Sequence, residues 1–180
     1  MLSLAQSSIL LKQAPKVFSR MFEQLMLGCF ISQGELSRKA IAIHNALKRD
    51  GTLKKGNSLG SMAQPTISYV IDGTQRPGQG QLLLWLEVIR QWCNDSPEML
   101  AKIAKIGVPK PRYPREVEQD LYRLALYGTI DEIYEAYEYW KDYSLLEYLE
   151  ETRHMRVEQL EFPDTDKMQS YPLRKAELQN

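Results

Sequence analysis

Gln64, Thr66, Ser68 and Tyr69 are polar side chains interleaved with an apolar set, Ile67, Val70 and Ile71, that recurs at helical spacing. A short helix over Gln64–Asp72 packs the apolar set inward and turns the polar set outward. Such an exposed set suits hydrogen bonding to base edges in the major groove of double-stranded DNA. A Gln amide can pair with adenine through two bonds, and a Thr offers a hydroxyl or a methyl. Gly73 closes the helix, where a positive φ is usual. Arg76 and the loop backbone that follows are placed to hold phosphate.

Other groupings offer less chemistry. The run Lys48-Arg49-Asp50-Gly51-Thr52-Leu53-Lys54-Lys55 is a candidate arm for the DNA backbone, adding affinity with little base specificity. His44 and His154 are the only histidines and have no cysteines at metal-binding spacing, so no zinc site is expected. Gly78-Gln79-Gly80 lacks the third glycine and the preceding strand of a dinucleotide loop. No Ser/His/Asp set stands out, and the acidic residues after Arg115 follow helical surfaces rather than pairing across a pocket. No enzyme and no cofactor are expected.

The elements that must position these residues read as helical throughout. From Ser8 to Phe30, Leu11, Ala14, Phe18, Phe22, Leu25, Met26 and Cys29 define one face, with a start or kink expected at Pro15. Ser32-x-x-Glu35 has capping-box spacing and opens a helix with Leu36, Ala40, Ile43 and Leu47 inside. Thr52–Gly60 is a basic loop. Thr74–Gly80 is a second loop, and the apolar stretch Gln81–Trp92 follows. Ser96-Pro97 and Gly107 bracket a further helix. Gly107–Pro114, with three prolines in its last six residues, reads as a linker. Val117, Leu121, Leu124 and Ala125 mark the next helix, and capping boxes at Thr129–Glu132 and Ser144–Glu147 open two more. From about Phe162 the pattern fades, and a disordered tail is expected over 162–180.

Composition sets the wider frame. The chain is 43% apolar and 26% charged, ordinary for a globular protein, and no apolar run approaches a membrane span. Two cysteines and no export signal point to a reducing cytoplasm. The net charge of zero hides a division. Residues 1–112 carry fifteen Lys/Arg against seven Asp/Glu, and residues 113–180 carry eight against sixteen. A basic half suits a polyanion, and the acidic half suits a different partner. Tyr134, Tyr137, Trp140 and Tyr143 lie in that acidic half, on too many sides of a helix for one buried stripe, and form a candidate protein-interaction surface.

The segment Ala63-Gln64-Pro65-Thr66-Ile67-Ser68, then Gly73, then Arg76-Pro77 resembles the third helix of the phage Cro and repressor (Xre-like) helix-turn-helix family. That helix often reads Ser-Gln-x-Thr-Ile-Ser, followed by Gly and by a basic residue with Pro. The resemblance implies that Gln64, Thr66 and Tyr69 face bases, that Ser68 lies near the backbone and that Arg76 contacts phosphate. It also implies that the helix around Leu82–Trp92 packs on the others and leads to a dimer interface. Ser32-Gln33-Gly34-Glu35-Leu36 is similar to the start of the family's second helix, but the two matches are much further apart than a tight turn allows. Either Leu36–Arg49 is an enlarged second helix, or it is the first helix and a degenerate second one lies near Leu53–Leu59.

The expectation is an all-α chain. Residues 1–106 form a helix-turn-helix domain, 107–114 a linker, and 115–161 an acidic interaction region. The expected function is transcriptional regulation by a homodimer on a specific DNA site. The alternative is a non-enzymatic adaptor that binds a protein partner through the acidic helices.

Overall fold

The computed structural model describes residues 1–53, 59–155 and 159–160, without the side chain of Asp95. All secondary structure among them is helical, as expected. The expected disorder of 162–180 and the proposed arm residues Lys54 and Lys55 lie outside the described residues.

Helix α1 spans Leu4–Gly28 and begins earlier than its apolar pattern suggests, because Ser3 and Gln6 cap one another reciprocally. Pro15 neither starts nor ends it. The carbonyl that Pro15 leaves without its helical donor belongs to Leu11, four residues back, and Leu11 lies on the exposed side rather than inside. The buried face is Leu10, Ala14, Val17, Phe18, Met21, Phe22, Leu25 and Met26. The helix closes with Phe30 at φ 59° and the Ile31 amide donating to the Met26 carbonyl, a left-handed closure made without glycine.

Helix α2 (Gln33–Arg49) starts at the expected Ser32–Glu35 capping box. Helix α3 (Gln64–Ile71) is short and buries Ile67 and Val70. Helix α4 (Gln79–Asp95) starts inside the expected loop, with the Gln81 carboxamide accepting from the Gly78 amide. Gly80 faces Leu59 so closely that a Cβ there would meet its Cδ2 at 2.8 Å. Helix α5 (Pro97–Ile106) has the expected Ser96 cap, first-turn proline and left-handed Gly107. A 3-10 turn (Arg115–Val117) leads into α6 (Glu118–Leu124), followed by α7 (Ile130–Trp140) and α8 (Leu145–Thr152). Thr129 and Glu132 form their box. At α8 only half of the expected box forms: Ser144 accepts from the Glu147 amide, while Gln24 of α1 accepts from the Leu145 amide.

Helix α4 is the centre of the molecule. Leu82, Leu83, Leu84, Trp85, Leu86, Val88, Ile89, Trp92 and Cys93 are all buried, so it is enclosed on most sides, with only the stripe Glu87, Arg90, Gln91 and Asn94 left open in its second half. Helices α2, α5 and α6 of the same chain pack on it. The helix around Leu82–Trp92 thus packs on the others, as the family resemblance implies.

The boundary expected at 107–114 is not a joint. Helices α6, α7 and α8 pack against α1, and one continuous apolar core runs from Leu10 to Tyr148. The segment 107–114 is irregular, as its prolines require, but it is tied down. Lys110 donates to the Asn94 carbonyl, and Arg112 reaches Glu116 and Thr152.

The acidic residues of this region are not all on the surface, contrary to expectation. Every residue of α6 is buried, and so is Glu116. Partners brought from elsewhere make this possible. Arg112 and the Tyr148 hydroxyl donate to Glu116, and the Trp140 indole donates to Asp120 at 2.9 Å. Arg123 bridges Asp120 and Glu132 at 3.6 and 3.3 Å.

Trp140 is thus corrected from surface to core, at 0% exposure. Its ring stacks on Tyr143 and meets Tyr139 and Tyr148 edge-on. Tyr137 and Tyr143 are half-buried, and Tyr134 is the exposed member of the four expected interaction residues.

Candidate nucleic-acid interface

The polar and apolar sides of α3 separate as its sequence dictates. Gln64, Pro65 and Tyr69 are exposed, Tyr69 at 52%, while Thr66 and Ser68 are half-buried. Ile67 and Val70 anchor the helix in the core, and Ile71 lies at its margin. Pro65 falls in the first turn, where the missing amide hydrogen costs nothing. The residue before the helix is Ala63, and no side chain caps this end.

Side chains from three other helices hold α3 in place. Ser37 of α2 donates to the Met62 carbonyl at 2.8 Å, and Gln81 of α4 donates to the Ser61 carbonyl at 2.6 Å. Ser19 of α1 donates to the Val70 carbonyl at 2.7 Å. The Thr66 hydroxyl donates to the Ser61 hydroxyl at 2.9 Å, which orients it toward the segment before the helix. At the far end the Thr74 and Gln75 amides donate to the Tyr69 carbonyl, and Gly73 takes the positive φ of 84° expected of it.

The start of α2 lies beside the start of α3. A Cβ built on Gly34 would sit 3.7 Å from the Gln64 side-chain oxygen. Two helix N-termini, each with amide hydrogens and a positive dipole end, therefore open side by side. The connection between the helices, residues 50–63, is far longer than a tight turn. Leu53 and Leu59, at the edges of its described part, turn inward, and the Leu59 amide meets the His44 imidazole at 3.5 Å. His44 is buried, which together with Lys48 holds its pKa below the usual histidine value.

The remaining candidates fall elsewhere. Lys48 and Arg49 are exposed in the last turn of α2, about 20 Å along the helix from Gly34. Arg76 is already occupied. Its guanidinium donates to the Ala125 and Leu126 carbonyls at 2.7 and 3.1 Å and lies 4.2 Å from the Tyr127 ring. The Tyr127 hydroxyl in turn donates to the Pro77 carbonyl. Phosphate contact, the role the resemblance gives Arg76, would compete with this clamp on the end of α6. Among the described cations of α2, Arg38 and Lys39 are paired with Glu98 of α5.

No protein-family model, curated protein or solved structure matches this chain. Among the described residues no helix is long and apolar enough to cross a membrane.

Periodicity did not single out Gln33 and Gly34 as neighbours of Gln64. The likeness of Ser32–Leu36 to the start of a second helix was the available signal, and the length of the connection obscured the proximity.

Proposed function

We propose that this protein is a sequence-specific DNA-binding transcriptional regulator that presents α3 to the major groove. The observation that carries the reading is the shared opening of α2 and α3, with Gln64 over Gly34 and Gln64, Pro65 and Tyr69 exposed on a helix held from three sides. In helix-turn-helix docking the second helix places its N-terminal residues against base edges while the first meets the backbone. A helix N-terminus favours phosphate there. The resemblance of Ala63–Ser68 to the Cro and repressor family supports the same assignment. Gln64 and Thr66 would read bases, Ser68 would lie near the backbone, and Lys48, Arg49, Lys54 and Lys55 would add sequence-independent affinity. A homodimer would form away from α4, and the exposed Leu4, Ile9, Leu11 and Tyr134 offer it apolar surface. Binding of a protein partner through the acidic helices is the weaker reading, because Trp140 lies in the core.

Selection from random duplex DNA should enrich one sequence. Gln64→Ala and Thr66→Ala should each weaken binding to it by roughly 1–3 kcal/mol. Lys54→Ala should weaken binding to all sequences alike and flatten the salt dependence. Failure to enrich any sequence would overturn the reading.

A further inference from the structure

At the C-terminal end of α4, against the proline-rich segment, lies an open cleft of about 400 Å³. Among the described residues, the charged side chains that line it are all cationic: Arg90, Lys110, Arg112 and Arg115. Three carboxylates stand behind them rather than in the cleft, and the buried Glu118 is the one that faces Arg90, Arg115 and Tyr113. Glu87 holds the Arg90 guanidinium through two bonds, and Glu116 holds Arg112 in the same way. Lys110 is pinned by its bond to the Asn94 carbonyl. Three of the four cations are therefore fixed before any ligand arrives, which lowers the ordering cost of binding. Like charges gathered on one concave surface repel one another, and the three carboxylates, none of which lines the cleft, still leave the group an excess of positive charge. Tyr113 also lines the cleft, with its hydroxyl buried beside the Glu118 carboxyl group.

We propose that this cleft binds a small polyanion, a metabolite carrying two or more phosphoryl groups. The exposed Arg115 guanidinium and Lys110 ammonium suit phosphate oxygens, Arg90 and Arg112 add positive field while bonded to their carboxylates, and the volume lies within the range of small-molecule sites. The inference does not rest on the DNA-reading role of α3. That helix precedes α4, and the cleft lies at the opposite end of α4, about 25 Å along it.

Titration calorimetry of the full chain with inorganic tripolyphosphate, at constant ionic strength and without divalent metal, tests the proposal. One saturable site is expected. The double variant Lys110→Gln/Arg115→Gln removes two exposed charges and should weaken binding by about tenfold or more, with the far-UV spectrum of the folded chain retained. Absence of saturable binding would overturn the proposal, as would binding that the double variant leaves intact. Displacement of tripolyphosphate by duplex DNA would also overturn it, by placing the cleft within a nucleic-acid surface. Enrichment of a DNA sequence by the double variant separates this outcome from any failure of the α3 reading.

Discussion

Glu118 carries a carboxyl group that the fold has taken out of water. Burial pushes its pKa up to about 7, against the opposing pull of Tyr113, Arg115 and Arg90. The unfolded chain releases that proton near 4.5, so between 4.5 and 7 the folded state holds more protons than the unfolded one. The stability this group contributes is complete at low pH and is lost as pH rises through 7. The full effect is on the order of 3 kcal/mol. His44 acts in the opposite sense, since burial lowers its pKa and folding gains as pH climbs past that value. A difference measurement isolates Glu118. Glu118→Gln should match the parent chain in urea unfolding at pH 5 and exceed it by about 1–3 kcal/mol at pH 8. An equal gap at both pH values would mean that Glu118 is ionised throughout. The division of α3 was legible in its sequence because its polar and apolar residues differ in type and follow a local period. The burial of Glu116, Glu118 and Asp120 was not. These are surface residue types, and the groups that reverse their preference, Tyr148 and Trp140, lie 32 and 20 residues further along the chain.

Helix ends in this protein are closed by two different means. Ser32, Ser96 and Thr129 cap locally, and the glycines at 73 and 107 take positive φ, so these boundaries were readable from neighbouring residues. The C-terminal ends of α6 and α7 are served from a distance. Arg76 donates to the end of α6, and Arg20 of α1 donates to the Trp140 and Lys141 carbonyls at the end of α7. Helix α7 has no basic residue in its own last turn, so Arg20 supplies the cation that a helix C-terminus favours. No local pattern announces such a cap, which is why Arg76 looked free for phosphate. Arg76→Ala should cost about 1–2 kcal/mol in urea unfolding. Arg76→Lys should recover little of it, because an ammonium can neither fork to two carbonyls nor stack flat on Tyr127. Full recovery with lysine would show that only the charge matters.

At the scale of the whole molecule, the proline-rich segment and the change of charge sign both suggested two bodies. The core is nevertheless shared, and sequence periodicity cannot show which helix faces which. Helix α1 packs with α6, α7 and α8 on one side and with α3 on another. Thermal or urea unfolding should therefore show one transition, with near-UV and far-UV signals coincident. A fragment ending at residue 106 should lack cooperative unfolding. Two resolved transitions, or a stably folded fragment, would restore the two-domain picture.

The enclosure of α4 bears on how the chain is made. Synthesis runs from the N-terminus, and α4 emerges from the ribosome before α6, one of the helices that cover it. Until α6 follows, a helix with apolar residues over most of its circumference has part of that surface bare, at a stage when exposed surface of this kind recruits chaperones or aggregates. A pause in translation between α4 and α6 is thus the moment at which the nascent protein is most vulnerable. Synonymous codon changes in that interval would alter its soluble yield while leaving the finished molecule the same.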